Sequence, residues 1–124
     1  MKNPYRWDNL TSPQIKKLSE KGAIVLVPVG STEQHGPHLP VGTDALMATS
    51  MSEKLAAALG EKGVPCVVAP TIAVANSTHH MSFAGSLTLR REIYLALLRD
   101  YCHSIASHGF RKILLVNGHP PTQL

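Results

Sequence analysis

Three kinds of feature are scarce in this sequence, and each scarcity narrows the possible functions. The 2 cysteines, Cys66 and Cys102, are far apart and form no CxxC motif, so we expect reduced thiols, as in a cytoplasmic protein. Aromatic residues make up 5% of the chain and basic residues are scattered, which argues against nucleic-acid binding. No apolar run is long enough to cross a bilayer, and residues 1–10 contain no signal-peptide core, so we expect no membrane partner.

The sequence does contain enough apolar material for a folded core. Of its 124 residues, 44% are hydrophobic and 16% are charged. This composition is typical of a globular domain and not of a disordered segment. We therefore expect residues 1–124 to form a single domain.

Helical and strand patterns alternate along the chain. The apolar runs of strand length are "AIVLVPVG", "VPCVVAPTIAV" (which Pro70 is expected to end) and "RKILLVNGH". The segments with helical spacing are "TSPQIKKLSEKG", "TDALMATSMSEKLAAALG" and "RREIYLALLRDYCHSIASHG". This order predicts an α/β fold, with a mainly parallel sheet and helices on its faces.

Side-chain types and spacing predict the starts and the buried faces of the helices. Ser12 and Thr43 are the expected N-caps, and Trp7 is expected to pack against the core. The residues expected to line the buried faces recur at helical spacing, namely Met47, Met51, Leu55 and Leu59 in the second helix and Tyr94, Leu98, Tyr101 and Ile105 in the third.

Histidines are concentrated in the segments that follow the three predicted strands. In parallel α/β sheets, ligands bind beyond the carboxyl ends of the strands. The segments at those ends are "GSTEQHGPH", "ANSTHHMSF" and "NGH", and they contain His35, His38, His79, His80 and His119. We therefore expect the functional site at this edge of the sheet.

Four residues at this edge have the chemistry of metal ligands. Glu33 and His35 lie two positions apart, so in an extended chain their side chains leave on the same side. Asp44 would begin a helix, whose N-terminus favours a carboxylate, and His119 would follow Gly118, which allows close backbone approach. Mixed carboxylate and imidazole donors suit a divalent metal such as Zn²⁺ or Mn²⁺.

Each of these residues also has a simpler interpretation. Glu33 and His35 could form a solvated surface pair, Asp44 could serve only as a helix-start charge, and the histidines could be ordinary loop residues. Their convergence at one sheet edge favours the metal site over these separate explanations.

A longer motif carries a family resemblance. The string "PVGSTEQHGPHLPVGTD", followed by "HHMSFAGSLTL" and by "NGH" at a strand end, resembles the creatininase (creatinine amidohydrolase) family over nearly the whole chain. The resemblance implies an αβα sandwich and a metal-dependent hydrolase acting on C–N bonds of cyclic amides, formamides or related small-molecule amides. It also implies a homo-oligomer with two divalent ions per site: Glu33, Asp44 and His119 would hold one ion, and His35 and Asp44 the other.

By the same resemblance, these four ligands would act through a metal-activated water that attacks the amide carbonyl. His80 is a further catalytic candidate, either shaping the substrate site or supporting a ligand. Ser31 and Gln34 are expected to fix the turn or to support the ligands.

The end of the sequence departs from the family pattern. Pro120 and Pro121 stand where family members have glycines or a glutamate ligand, and proline cannot coordinate a metal through its side chain. Family members are also longer, so the resemblance suggests an N-terminal portion of the family domain with an open sheet edge. Two alternatives stay open: an inactive metal-binding fragment completed by another chain, and an interaction module. The exact substrate and the choice between Zn²⁺ and Mn²⁺ also stay open.

Overall fold

The computed structural model describes residues 3–118 and arranges them in three layers, with helices on both faces of a 3-stranded sheet. In chain order the helices are α1 (Ser12–Glu20), α2 (Thr43–Glu61) and α3 (Arg91–Ser107), and the strands are β1 (Ile24–Val29), β2 (Cys66–Val68) and β3 (Lys112–Asn117). Short 3₁₀ turns occupy Trp7–Asn9 and Thr78–His80. The predicted α/β alternation is confirmed.

The sheet is parallel, with strand order β2-β1-β3. β1 is therefore central, and its carboxyl end lies between the segments that leave the other two strands. β2 is shorter than the predicted run: it ends at Val68, before Pro70, which has no N–H for the ladder. Beyond it, the chain stays beside β1 through an isolated bridge between Val29 and Ile72.

The two faces of β1 are covered by different helices. Val25, Val27 and Val29 lie in a core cluster that includes residues of α1 and α3. Leu26 lies in a second cluster with Ala56 of α2. Alternating side chains of one buried strand thus separate the two helical layers, as expected for a strand covered on both sides.

The predicted buried face of α2 is wrong. Met47, Met51 and Leu55 are exposed, and Leu59 is only partly buried. The buried residues of this helix, which recur at four-residue spacing, are Asp44, Ala48, Ser52 and Ala56. Small side chains on this face let the helix backbone lie close to the sheet, which turns the methionines outward. In α3 the predicted face is confirmed, because Tyr94 and Ile105 are buried, with Leu98 and Tyr101 packed beside them.

Both predicted N-caps are wrong by one residue. α1 is capped by Thr11, whose hydroxyl accepts a bond from the Gln14 N–H while the Gln14 side chain accepts one from the Thr11 N–H. This reciprocal pair leaves Ser12 inside the helix. α2 has Gly42 at its N-cap, and the Thr43 hydroxyl donates to the Pro40 carbonyl instead.

Several smaller expectations can be compared with residues 3–118. Trp7 packs against Phe110 with 5.4 Å between ring centroids, as expected. Cys66 and Cys102 are both free thiols. None of the described helices combines the length and the apolarity needed to cross a membrane.

Candidate metal centre

Three polar side chains are buried together just beyond the carboxyl end of β1. Ser31, Glu33 and Asp44 are 0%, 1% and 3% exposed, respectively. The Ser31 hydroxyl oxygen lies 2.8 Å from Glu33 Oε1 and 2.7 Å from Asp44 Oδ2. A hydroxyl has one hydrogen, so it cannot donate to both carboxylates at once. Two buried acids at such close range favour additional positive charge, which a divalent cation would supply.

Two glycines allow the start of α2 to approach the strand ends. A Cβ on Gly30, just after β1, would lie 2.5 Å from the Cα and the N of Ala45. A Cβ on Gly118, just after β3, would overlap the carbonyl oxygen of Asp44. The close backbone approach predicted at Gly118 is therefore confirmed. Both strand ends position the helix turn that carries Asp44.

His35 is held between Glu33 and Asp44. Its Nδ1 lies 3.0 Å from the Glu33 carbonyl oxygen and its Nε2 lies 2.9 Å from Asp44 Oδ1. Carbonyl and carboxylate oxygens both only accept, so in the metal-free protein both ring nitrogens face acceptors, and the doubly protonated ring satisfies both. A cation beside Asp44 would replace the hydrogen on Nε2, while Nδ1 would keep its bond to the Glu33 carbonyl. The bond to the Glu33 carbonyl raises the pKa of His35 above its usual value, burial opposes this rise, and Asp44 adds to it.

A second group lies on the other side of Glu33. The ligand atoms of Glu33, His79 and His80 all lie within 4.8 Å of one another. His80 Nε2 is 3.3 Å from Glu33 Oε2, and the two histidine rings are 4.1 Å apart. The sequence analysis proposed a role for His80 but none for His79. The only feature of the sequence that could have suggested a role for His79 is its position in the edge segment that follows β2.

The structure brings four of the predicted site residues together: Glu33, His35, Asp44 and His80. His119 lies outside the described residues, as do Pro120 and Pro121. His38, which belongs to the same edge segment as Glu33, is exposed. The four residues come from the β1–α2 segment and the 3₁₀ turn after β2, which confirms that polar chemistry gathers at the carboxyl edge of the sheet.

The structure is thus an αβα sandwich with buried carboxylates and partly buried histidines at this edge, the donor types that suit a divalent cation. Residues 8–121 match the model of the creatininase (creatinine amidohydrolase) family. The chain belongs to that family, as the sequence motifs predicted.

Relatives with assigned functions include different hydrolases. The chain is 38% identical over 114 residues to the mycofactocin precursor peptide peptidase of Mycobacterium tuberculosis. The aligned region covers 88% of this chain and 44% of the relative. It is 32% identical over 114 residues to the 3-dehydro-scyllo-inosose hydrolase of Thermotoga maritima, and this alignment covers 91% of the chain and 35% of the relative. The chain thus spans less than half the length of these relatives.

Solved creatininase structures share the fold. A crystal structure of creatinine amidohydrolase (creatininase) matches with a TM-score of 0.85 and 25% identity, over 93% of this chain and 45% of that one. A mutant creatininase of the Zn-Zn type matches with a TM-score of 0.83 and 25% identity, over the same shares. A manganese form has a TM-score of 0.84 at 24% identity, over 93% and 45%. The predicted creatininase-like αβα fold is confirmed.

Proposed function

We propose that this chain carries the metal-binding part of a hydrolase that cleaves a C–N bond of an amide. The observation that carries the proposal is the convergence of His35 Nε2, Asp44 and Glu33 around the buried Ser31 hydroxyl. Two carboxylates and an imidazole nitrogen form a mixed donor set that fits Zn²⁺ or Mn²⁺. Zinc and manganese forms among the similar creatininase structures support the same choice.

The proposed ligands divide into two sets that share Asp44. Glu33, Asp44 and His119 would hold one divalent ion, and His35 and Asp44 would hold the second. When bound, the ions would supply a polarised amide carbonyl and a water made acidic enough to attack it.

The residues of the chain itself would fix the ligands before any ion arrives. The Glu33 carbonyl holds the His35 ring so that Nε2 is directed at Asp44, and the Ser31 hydroxyl lies between the two carboxylates and donates to one of them at a time. Because Glu33 and Asp44 are buried, they have little water to compete for their charge, which strengthens their attraction for a cation.

The proposed substrate class is inferred from the family and includes several kinds of amide. Similar proteins are named as a peptidase, an inosose hydrolase and a creatinine amidohydrolase, so the family accommodates different substrates. We propose a small-molecule or peptide-like amide as the substrate.

The test is the metal content of the purified, tag-free chain after dialysis against metal-free buffer, measured by elemental mass spectrometry. About two ions per chain support the dinuclear site, and about one supports a single complete position. Asp44→Asn, which keeps the side-chain volume, should abolish binding because both positions use this carboxylate. The same change at the exposed Asp100 of α3 is the matched control and should leave the metal content unchanged. Absence of metal from the unaltered chain would refute the proposal.

A second candidate function is a metal-binding chain that hydrolyses substrate only after another chain completes the site. The observation that favours it is β3, where Leu114 and Leu115 on opposite faces are 48% and 46% exposed. Exposed large hydrophobic residues at a sheet edge are typical of a surface that another polypeptide covers. Light scattering distinguishes the outcomes: oligomers that bind metal support completion by a second copy, whereas a monomer that hydrolyses amides contradicts it.

A further inference from the structure

We propose that His80 is a positioning residue whose Nε2–H faces the Glu33 carboxylate and attracts it electrostatically, with its tautomer set by Gln34. The inference deepens the proposed function, because it gives a role to a residue next to a proposed ligand. His80 then supports the metal centre without being a ligand itself. The assignment follows from a chain of hydrogen-bond donors and acceptors that starts at a backbone N–H.

The first link fixes the Gln34 amide. The Gly36 N–H donates to Gln34 Oε1 at 2.9 Å. A backbone N–H only donates, so the atom facing it must be the amide oxygen and not the NH₂ group. The NH₂ group of Gln34 is therefore the one on the opposite side of the amide.

The second link fixes the His80 tautomer. Gln34 Nε2 lies 3.0 Å from His80 Nδ1. An amide NH₂ only donates, so Nδ1 accepts, and in the neutral ring the hydrogen is on Nε2. At His35, by contrast, both ring nitrogens face acceptors, the Glu33 carbonyl oxygen and Asp44 Oδ1.

The third link reaches Glu33. His80 Nε2 lies 3.3 Å from Glu33 Oε2, a close polar contact whose alignment falls short of a hydrogen bond. The other carboxylate oxygen, Oε1, is 2.8 Å from the Ser31 hydroxyl. The two oxygens are therefore approached by two different donors, one from each side. A nitrogen that carries hydrogen cannot bind a metal, so His80 in this tautomer orients Glu33 and does not ligate.

The two segments that contain Gln34 and His80 are also joined by two hydrogen bonds that backbone N–H groups donate. The Gln34 N–H donates to the Ser86 hydroxyl at 3.0 Å, and the Leu87 N–H donates to the Thr32 carbonyl at 2.8 Å. These bonds hold the segment after β1 against the loop that follows the 3₁₀ turn of His80. Gln34 and His80 are thereby kept at hydrogen-bonding distance although they are 46 positions apart.

The first test reads the tautomer directly, by ¹⁵N NMR of the His80 side chain in the metal-free chain at about pH 8, above the ordinary pKa of histidine. We expect the hydrogen of the His80 ring on Nε2. Gln34→Glu replaces the NH₂ donor with an acceptor and should move the His80 hydrogen to Nδ1. A hydrogen on Nδ1 of His80 in the unaltered chain would overturn the assignment.

The second test measures affinity for Zn²⁺ by competition with a chromophoric chelator. His80→Ala should weaken binding by about tenfold or more, as expected when the partner of a ligand is lost. Gln34→Glu should weaken it in the same direction while the fold is retained. His79→Ala is the matched comparison, because His79 is adjacent but takes no part in the chain of bonds. Equal losses for His79→Ala and His80→Ala would mean that both histidines ligate, and would contradict the positioning role.

The two proposals fail in different ways. If the unaltered chain binds no metal, the proposed function is wrong, and the NMR measurement alone decides the His80 assignment. If metal binds but His80 has its hydrogen on Nδ1, or coordinates Zn²⁺ through Nε2, the proposed function stands and the positioning role is wrong. Should His80→Ala not fold, Gln34→Glu still provides both readouts.

Discussion

β1 and β3 are neighbouring strands of the same length with opposite environments. Each has 6 residues, and they pair one to one in parallel register from Ile24 opposite Lys112 to Val29 opposite Asn117. Every residue of β1 after Ile24 is buried, whereas no residue of β3 is. Apolar composition therefore predicted both strands but did not predict burial, which depends on whether another layer covers the strand.

The difference between the two strands shows which part of the sheet the described residues cover. β1 is covered on both faces, and its carboxyl end carries the buried part of the candidate metal centre. β3 keeps Leu114 and Leu115 half-exposed beside the buried Leu26 and Val27 of β1. This contrast accompanies a chain that spans 44% of the Mycobacterium tuberculosis relative.

The largest expected effect comes from a matched pair of leucines in the middle of the two strands. Leu26 is fully buried and lies directly beside Leu114, which is 48% exposed. Leu26→Ala should lower the free energy of unfolding by about 3 kcal/mol, because it leaves a cavity under α2. Leu114→Ala should cost about 1 kcal/mol, since only part of its surface is removed from water. Urea unfolding of the two variants measures the difference.

The contrast between the two strands would be contradicted if both leucine-to-alanine changes lowered the free energy of unfolding by the same amount. Equal losses that depend on protein concentration would show that β3 is covered by another copy in solution. Equal losses independent of concentration would contradict the exposure of β3 itself.

A smaller effect is expected at the strand ends, where the two strands should behave alike. Gly30→Ala and Gly118→Ala each place a Cβ against the backbone of the first turn of α2. We expect each to cost about 2 kcal/mol, because a backbone neighbour cannot rotate away as a side chain can. Both changes should also weaken Zn²⁺ binding, since the turn that must move carries Asp44.

Gly42→Ala is the control for this prediction. Gly42 lies at the N-cap of the same helix, but an added Cβ there would have no heavy atom within 4 Å. Its cost should stay within about 1 kcal/mol, the range for a changed N-cap, with metal affinity retained. If the Gly30 and Gly118 variants behave like the Gly42 variant, close approach of α2 to the strand ends is not what positions Asp44.

Topology was predictable from the sequence because its signals are local. Apolar runs of strand length alternate with helical spacing, and this alternation places Glu33, His35 and His80 at the carboxyl edge without knowledge of any contact. Asp44 followed from its place at a helix start. These inferences needed only the periodicity of the chain and the geometry of parallel sheets.

Packing was not predictable in the same way because it depends on contacts between distant segments. In α2 the small residues Ala48 and Ser52 are buried against the sheet, whereas Met47 and Met51 are exposed. The small face is the buried one because the glycines at the strand ends let the helix approach closely. The His80 tautomer depends on Gln34, 46 positions away. No local pattern contains that information.

The smallest effect concerns the pH dependence of the end of β1, through His35. In the metal-free protein, the bond to the Glu33 carbonyl and the nearby Asp44 raise the pKa of His35 above 6.5, its value in an unfolded chain. A raised pKa means that the folded state binds the proton more tightly, so the stabilisation is fully present below the unfolded value and is lost as the pH rises through the folded value. His35→Gln should therefore destabilise the metal-free chain more at about pH 6 than at about pH 9. Urea unfolding of both proteins at the two pH values measures this difference, with His103→Gln on the exposed face of α3 as the control. A loss of stability that is the same at both pH values would show that His35 contributes by packing alone, and that its protonated ring is not what holds Asp44 at the end of β1.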